Sequence, residues 1–311
     1  MKDLDAAGLD CLSALADERS FERAAQRLSI TQSAVSQRLR SLEAQVGQLL
    51  VVRSRPLRLT EPGKVLLRFA RQLQALRADV ARELEVSASA NERIAIAVNA
   101  DSLATWVLPA LDPVVQQGLR EGFGLELVVD DQDFTHDWLR QGEVLGCVST
   151  VKQALRGCLV RPLGLMRYVA VASPAFLRQH LPDGLSASNF AHTPFLVFNR
   201  KDDTQTQWVA KAFGLRAPRL LERYVPSSEA YVRAVLAGWG VGVAPELQLR
   251  PLLESGELVA IRPEVSIDVS LFWHQWKLQS EHAPAPGRVA LLDRIGLALA
   301  EGGRQTLAAP R

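Results

Sequence analysis

Cysteine is scarce in this sequence of 311 residues. The three that occur, Cys11, Cys147 and Cys158, are odd in number and far apart. Such a set excludes a disulfide framework and offers no spacing typical of a metal site. Cys147 and Cys158 lie in apolar surroundings typical of a protein core, and a redox switch formed by the two is the alternative interpretation.

Long apolar runs are also missing. No uninterrupted apolar stretch approaches the roughly 18 residues that a membrane span needs. The chain begins with MKDLDAAGLD, which is acidic where a secretory signal would be basic. The sequence therefore predicts a cytoplasmic protein without a membrane partner.

Motifs for catalysis or cofactor binding are equally sparse. The glycine-rich run at 238–242 lacks the first-strand context and the downstream acid of a dinucleotide-binding fingerprint. The five histidines are scattered, and His274 lies in a predicted strand, where a structural role is more common than a catalytic one. We predict no catalytic residue, no metal and no cofactor, and we do not expect an enzyme.

The composition that remains is that of an ordinary globular protein. Apolar residues make up 48% and charged residues 23% of the chain, which argues against disorder. The length predicts two or three domains. The net charge of +2 says little about nucleic acid, because only the surface that contacts phosphate has to be basic.

Helical periodicity dominates the first ninety residues. Ser20 is a predicted N-cap of a helix that runs to Leu28, and Thr31 is the N-cap of the next helix. Two helices joined by so short a link are typical of a helix-turn-helix. The apolar face of the second helix consists of Val35, Leu39, Leu42 and Val46.

The opposite side of that second helix is polar, and we predict that it enters DNA. The major groove admits one helix, and short polar side chains near the helix start reach base edges there. A merely solvated amphipathic helix is the alternative. The predicted DNA contacts of this helix are Thr31, Gln32, Ser33, Ser36, Gln37, Arg38 and Arg40.

Local charge favours the same function. Between Arg19 and Arg58 the chain has eight arginines and two glutamates, a net charge of +6. Contact with phosphates requires such a basic window, although a solvated basic surface is again the alternative. We predict a wing that carries Arg53, Arg55 and Arg58, and double-stranded DNA as the partner.

These N-terminal residues resemble the helix-turn-helix motif of LysR-type transcriptional regulators. The resemblance implies a DNA-binding regulator with a two-lobed sensor domain that holds a small effector. The matching positions are Ser20-Phe21, Ala24-Ala25, Leu28, Thr31 to Ser36, Leu42-Glu43, Gly47, Arg53, Leu59-Thr60 and Gly63.

A further helical stretch begins at Pro62, with apolar residues at steps of three and four, close to a heptad pattern. Residues 62–88 would extend about 40 Å as a helix. The stretch resembles the family's linker helix, which pairs two subunits, whereas a core helix of a single chain is the alternative. We predict a homodimer that assembles into a tetramer, with RNA polymerase as a further partner. The predicted dimer positions are Leu66, Phe69, Leu73, Leu76, Val80 and Leu84.

Beyond residue 91, short β-rich runs alternate with helical stretches, which is typical of an α/β fold. We predict chain crossings between two lobes near Leu163–Arg167 and Pro263–Asp268. The predicted strands are 93–98, 125–129, 146–150, 168–172, 195–198, 241–244 and 269–276.

The predicted architecture has three parts. An N-terminal all-α winged helix-turn-helix occupies residues 1–60, and the linker or dimerisation helix occupies 61–90. A two-lobed α/β effector domain, similar to periplasmic binding proteins, follows over 91–311. Its lobe I comprises about 91–164 and 269–301, and its lobe II about 165–268.

Three further stretches resemble the ArgP/LysG branch of the family: Val98–Trp106, Gly142–Gly146 with Ser149, and Ser227–Ala230. Many LysR proteins have an aspartate where Leu145 and Gly146 stand here, and this departure agrees with that branch. The branch responds to lysine and arginine and controls the export of basic amino acids. The resemblance thus implies lysine or arginine as the effector and amino-acid transport or metabolism genes as targets.

A basic amino acid requires donors for its carboxylate and acceptors for its two cationic groups. Asp101 and Ser102 fall between a predicted strand and a predicted helix, where the Ser102 hydroxyl and backbone N–H groups can hold the carboxylate and Asp101 the α-ammonium. For each acid, a capping or solvated role is the alternative. The predicted effector-binding residues are Asn99, Asp101, Ser102, Asp130, Asp131, Ser149, Asp202, Asp203, Ser228 and Glu229.

Two other functions remain open at this point. The chain could be a LysR-type regulator of another small metabolite, or an effector-independent architectural DNA-binding protein. Acidic residues at the predicted cleft positions weakly disfavour the second.

Overall fold

The computed structural model describes residues 4–83, 92–130, 135–277 and 290–309. Leu84, a predicted dimer position, and Asp131, a predicted effector contact, lie outside the described residues. Within the described ranges, no helix combines the length and the apolarity that crossing a bilayer demands.

Side-chain caps define the starts of the first three helices. Asp5 accepts hydrogen bonds from two backbone N–H groups of α1, and Ser20 and Thr31 cap α2 and α3 as the sequence predicts. A two-stranded antiparallel hairpin follows α3 and leads into a long helix. The N-terminal elements are α1 (Ala6–Glu18), α2 (Phe21–Arg27), α3 (Gln32–Val46), β1 (Val51–Val52), β2 (Arg58–Leu59) and α4 (Glu61–Glu83).

One apolar core holds these elements together. Val35, Leu39 and Leu42 of α3 are buried against α1, so the predicted inward face is confirmed for these three residues. The start of α4 passes so close to the backbone just before β1 that a Cβ on Gly63 would lie 2.0 Å from the Leu50 carbonyl oxygen. A glycine is therefore required where α4 joins this core.

The remaining chain alternates strands and helices. Its strands are β3 (Glu92–Asn99), β4 (Phe123–Asp130), β5 (Gly146–Ser149), β6 (Cys158–Ala172), β7 (Pro194–Val197), β8 (Leu221–Tyr224), β9 (Gly242–Pro245) and β10 (Val259–Trp276). Its helices are α5 (Ala100–Ser102), α6 (Leu108–Glu121), α7 (Thr135–Arg140), α8 (Pro174–His180), α9 (Thr204–Phe213), α10 (Ser228–Leu236), α11 (Glu246–Glu254) and α12 (Leu291–Thr306). A π-helical turn at Leu103–Val107 joins α5 to α6, and a 3₁₀ turn occupies Phe190–His192.

Six strands form one mixed sheet in the order β4-β3-β5-β10-β6-β9, and β7 pairs with β8 in a separate parallel ribbon. β3 runs parallel to both β4 and β5, so their carboxyl ends meet at one edge. β10 is antiparallel to β5 and β6. The sheet thereby brings the ends of β3, β4 and β5 together, where open α/β sheets bind ligands.

The predicted chain crossings fall within two long paired strands. Leu163–Arg167 and Pro263–Asp268 lie inside the strands β6 and β10, which pair with each other from Val259 opposite Ala172 to Trp276 opposite Cys158. Gly164 and Pro263 interrupt the alternating pattern in the sequence. β6 and β10 keep each other extended through both segments, and the irregularities are taken up as shifts in their pairing register.

Helix α4 contacts the α/β part of the chain as well as the N-terminal core. Arg71 Nη1 donates to the Gly142 carbonyl oxygen at 2.8 Å, and its Nη2 lies 2.5 Å from Asp17 of α1 and 3.4 Å from Glu143. The Arg68 guanidinium lies over the Trp276 ring at 5.0 Å. We call the group Asp17, Arg71, Gly142 and Glu143 the clasp, since it joins three parts of the chain.

Candidate functional site

Helix α3 presents an open polar face near its start. Gln32, Ser33, Gln37 and Arg40 are exposed, and Ser36 is partly buried. The Thr31 hydroxyl is used locally, because it accepts from Ala34 N at 3.2 Å and contacts the Ser33 hydroxyl at 2.9 Å. This face has the shape and the side chains that a major groove accepts.

Arg38 stands apart from that face. Its guanidinium lies by the Cys11 thiol of α1, where it opposes the rise in the Cys11 pKa that burial causes. Two positions along a helix rotate a side chain by about 200°, so Arg38 faces away from Ser36. The predicted groove contact at Arg38 is thus less well placed than those at Gln32 and Gln37.

The β1–β2 hairpin carries the predicted wing. Arg53, Arg55 and Arg58 are all exposed, and the Arg53 guanidinium lies 5.3 Å from the ring centre of Phe21 on α2. A cation–π contact of this kind holds the Arg53 charge beside the start of α2. The wing therefore presents exposed basic side chains suited to phosphates, and the polar face of α3 presents side chains suited to bases.

The apolar residues of α4 divide between two faces. Leu66 is buried in the N-terminal core, and Leu73 packs against that core, so the prediction that Leu66 faces a partner subunit is corrected. Phe69 and Val80 are 45% and 52% exposed, and Val65, which the prediction omitted, is 57% exposed. Leu76 is partly buried.

A cleft lies at the carboxyl end of β3, where α9, α10, β9 and α11 face it. Its cavity measures about 40 Å³. It is lined by Asn99, Ala100, Asp101, Tyr168, Phe198, Asp202, Thr204, Gln205, Ser228, Tyr231, Val243, Ala244, Pro245 and Gln248.

Asp101 connects the two sides of this cleft. Its Oδ1 accepts a hydrogen bond of 2.6 Å from the Ser228 hydroxyl, and its Oδ2 accepts one of 2.8 Å from the Tyr168 hydroxyl. Burial raises the pKa of Asp101 above its ordinary value, the two hydrogen bonds oppose this rise, and nearby Asp202 adds to it. A cation beside Asp101 would therefore stabilise the charged carboxylate.

Asp202 lines the same cleft from the opposite side. Its carboxylate accepts from Phe198 N, Thr204 N and Gln205 Nε2, each at 3.1 Å. These bonds orient the carboxylate at the start of α9. Asp202 thus combines the capping role that the sequence left open with a position in the cleft.

Several buried acceptors in this region have no hydrogen-bond partner among the described residues. They are Asn99 Oδ1, Ser102 Oγ and Gln205 Oε1. Asn99 and Gln205 line the cleft, and Ser102 is fully buried next to Asp101. Buried polar atoms are rarely left unpaired, so these atoms are candidates for hydrogen bonds to a polar ligand.

Three other predicted effector residues are not part of the cavity lining. Ser149 is buried at the end of β5 and accepts from Val151 N, Asp203 is exposed and accepts from Gln207 Nε2, and Glu229 is exposed on the first turn of α10. Asp130 is the last residue of β4, opposite Asn99. Of the ten predicted residues, Asn99, Asp101, Asp202 and Ser228 line the cleft.

Sequence reasoning missed the aromatic and amide side chains of the cleft. Tyr168 lies within the long strand β6, Gln205 is the second residue of α9, and Tyr231 is on the buried face of α10. Their spacing in the sequence is that of ordinary core residues. No sequence pattern separates them from the core, since they meet only through strand pairing and helix packing.

The cysteines and histidines suggest no chemistry at a second site. Cys147 and Cys158 are buried free thiols, and burial raises the pKa of Cys158 to about 12 and that of Cys147 further, which disfavours a reactive switch. His274 Nε2 contacts the Val151 carbonyl oxygen at 2.6 Å. Across the described ranges, no group of three or more His, Cys, Asp or Glu could hold a metal ion.

Comparison with known proteins identifies both parts of the chain. Residues 7–64 match the bacterial regulatory helix-turn-helix proteins of the lysR family, and residues 87–285 match the LysR substrate binding domain. The transcriptional regulator ArgP of Aeromonas salmonicida is 44% identical over 280 residues, which are 90% of this chain and 93% of that protein.

Solved structures agree with this comparison. The crystal structure of ArgP from Mycobacterium tuberculosis is 39% identical and superposes with a TM-score of 0.82 over 99% of this chain and all of that one. LysG from Corynebacterium glutamicum with its bound effector Arg is 35% identical, with a TM-score of 0.72 over 98% of this chain and 99% of that one. The predicted family, the helix-turn-helix and the α/β sensor are confirmed, and the chain belongs to the LysR family of DNA-binding transcriptional regulators, with ArgP and LysG among its relatives.

Proposed function

We propose that this regulator senses arginine or lysine in the cleft beside Asp101 and controls genes of amino-acid transport or metabolism, such as an exporter of basic amino acids. One observation carries the proposal. Asp101 and Asp202 line a single cleft, and its lining among the described residues includes no Lys, Arg or His. Two carboxylates without a cation repel each other, and a ligand with two cationic groups removes that repulsion. The arginine bound to LysG supports the same ligand class.

Each group of a basic amino acid has a matching partner here. Asp101 accepts from the α-ammonium, and the side-chain cation lies toward Asp202 on the far side. The carboxylate of the ligand accepts hydrogen bonds from the Ser102 hydroxyl and from the backbone N–H groups at the start of the helical run 100–121. The π-helical turn at 103–107 supports a binding role, because such turns are frequent at functional sites.

The size of the cleft implies how the effector acts. A cavity of about 40 Å³ is smaller than the 300 Å³ or more of typical ligand sites, so binding widens it. Widening separates Ser228 from Asp101, and the ligand ammonium replaces the Ser228 hydroxyl on the carboxylate. The effector thus stabilises a wider arrangement of the two sides of the cleft, because it binds that arrangement with higher affinity.

The clasp offers a route from the cleft to the DNA-binding domain. Gly142 and Glu143 lie in the turn before β5, and Leu145 N donates to Ala95 O of β3, the strand that ends at the cleft. Arg71 connects this turn to α1. Movement of β3 or β5 on effector binding would therefore shift α1, and with it the α3 face that enters DNA.

Assembly and domain limits belong to the same proposal. The exposed Val65, Phe69 and Val80 on α4 support pairing of two subunits through this helix, and two such dimers form a tetramer that contacts RNA polymerase at promoters. The domain limits are residues 1–60, 61–90 and 91–311, with lobe I at about 91–164 and 269–301 and lobe II at about 165–268. The start of α4 at Glu61 and of β3 at Glu92 supports the first two limits.

Cellular place and chemistry follow from the family. Relatives such as ArgP are transcriptional regulators, so we propose that this chain binds its effector without converting it. A regulator of this kind acts on the bacterial chromosome, so we propose that the protein is cytoplasmic.

Calorimetry of the full-length protein tests the effector. Arginine and lysine, titrated separately, should each give a saturable binding heat, whereas glutamate should give none. Genomic fragments are then selected with and without the ligand, and we expect the bound set to change. Binding heat from neither basic amino acid at millimolar concentration would falsify the proposal. A thermal-shift panel of other amino acids would then test for a different metabolite.

A further inference from the structure

We propose that Gln205 receives the side-chain cation of the effector and sets the specificity of the cleft for a basic side chain. This inference rests on the proposed function, because it assigns a residue to the far end of the same ligand. Gln205 is 2% exposed, is the second residue of α9 and lines the cleft.

Both hydrogens of the Gln205 amide are in use. Nε2 donates to Asp202 Oδ2 at 3.1 Å and to the Tyr231 hydroxyl oxygen at 3.2 Å. Oε1 is buried and has no partner among the described residues. The amide therefore has one acceptor left, and that acceptor belongs to a residue of the cleft wall.

The orientation of the amide follows from its neighbours. A carboxylate only accepts hydrogen bonds, so the nitrogen must face Asp202, and the reverse orientation would place two oxygens together. The Tyr231 hydroxyl donates to Leu196 O at 2.8 Å and accepts from Val243 N at 3.0 Å. Its single hydrogen is thus not available to Gln205 Oε1, which keeps its capacity to accept a hydrogen bond.

A cationic donor suits this acceptor better than a neutral one. The Asp202 carboxylate lies on the other side of the same amide and polarises it, so that negative charge develops on Oε1. Asn99 Oδ1 is a second unpaired acceptor in the same lining. Guanidinium and ammonium groups carry only donors, and either satisfies acceptors that an aliphatic side chain would leave unpaired.

Three variants of the full-length protein separate this role from a structural one. Gln205→Met keeps the length of the side chain and removes all its hydrogen bonds. Gln205→Glu keeps an acceptor oxygen and loses the donor to Asp202 and Tyr231. Gln207→Met is the matched control, since Gln207 is an exposed glutamine of the same helix outside the cleft. Binding of operator DNA by each variant establishes that it is folded.

Calorimetry with arginine gives the readout. We expect Gln205→Met to bind arginine at least about tenfold more weakly, which is the effect of one lost hydrogen bond to a charged group. Gln205→Glu should bind arginine more tightly than Gln205→Met does, because it keeps an acceptor oxygen for the cation, and Gln207→Met should match wild type.

Equal losses in Gln205→Met and Gln205→Glu would overturn the inference, because they would assign Gln205 only a donor role toward Asp202. Wild-type affinity in Gln205→Met would overturn it as well. Both outcomes leave the proposed function standing, since wild-type protein still binds arginine in them. Absence of binding by wild type is a different result and contradicts the proposed function itself.

Discussion

The Ser228 hydroxyl donates a 2.6 Å hydrogen bond to Asp101 across 127 positions of sequence. Ser228 is the first residue of α10, and Asp101 lies in the short helix after β3, so this bond joins opposite sides of the cleft. The same carboxylate oxygen is the acceptor that an effector ammonium would use. The Ser228 hydroxyl and an effector ammonium would thus compete for Asp101.

Removing the charge of Asp101 should weaken effector binding. Asp101→Asn keeps the shape of the side chain but loses the anion that faces the ligand ammonium, and we expect arginine affinity to fall at least tenfold. Asp203→Asn is the matched control, because Asp203 is exposed and outside the cleft. Calorimetry measures both. Equal affinity of Asp101→Asn and wild type would contradict the assignment.

The same substitution should change the dependence of stability on pH. Burial raises the folded-state pKa of Asp101, so its favourable contribution is complete below the ordinary aspartate pKa of about 3.9 and is lost as pH rises through the folded pKa. The free energy of unfolding of Asp101→Asn should therefore increase relative to wild type between pH 4 and pH 8. Urea denaturation without ligand measures it, and a difference independent of pH would refute the expectation.

Base contacts and phosphate contacts should respond differently to substitution. Gln32→Ala or Ser36→Ala on α3 should relax sequence preference, at a cost of about 1–3 kcal/mol on the preferred site. Arg53→Ala on the wing should weaken all sequences similarly and reduce the salt slope by about one. Fluorescence anisotropy over a salt series measures both effects. If all three variants bind like wild type, the assigned DNA surface is wrong.

A charge on the exposed face of α4 should prevent pairing of subunits. Phe69→Glu places a carboxylate where an apolar contact is expected, and sedimentation should then show the 34.1 kDa of one chain. Val259→Glu is the control, since Val259 is a 40% exposed apolar residue on β10. A dimer that persists in Phe69→Glu argues against α4 as the pairing helix.

The clasp should be needed for response but not for binding. Arg71→Ala removes the link between Asp17 and Glu143, so arginine affinity should stay within a few-fold of wild type, while arginine should no longer alter operator binding. Arg77→Ala, an exposed arginine of the same helix, serves as the control. DNA-binding titrations with and without arginine measure this response. If arginine still alters operator binding by Arg71→Ala as it does by wild type, the clasp has no part in signalling.

Local features of this protein were determined by the sequence itself. The caps at Ser20 and Thr31 and the inward face of Val35, Leu39 and Leu42 depend on residues within one or two helical turns. Helix and strand periodicities report such short-range order directly. The helix-turn-helix was therefore predictable from the sequence alone.

Tertiary structure alone decided which polar residues share the cleft. Asp202 lines it while its neighbour Asp203 does not, because only the Asp202 carboxylate turns back to the Phe198, Thr204 and Gln205 nitrogens. Ser228 lines it while Glu229 does not, because successive residues of a helix point in directions about 100° apart. Gln205 had no local pattern that distinguished it from core. Its amide nitrogen is occupied by its neighbour Asp202 and by Tyr231, which lies 26 positions further along the chain and reaches it only through tertiary packing.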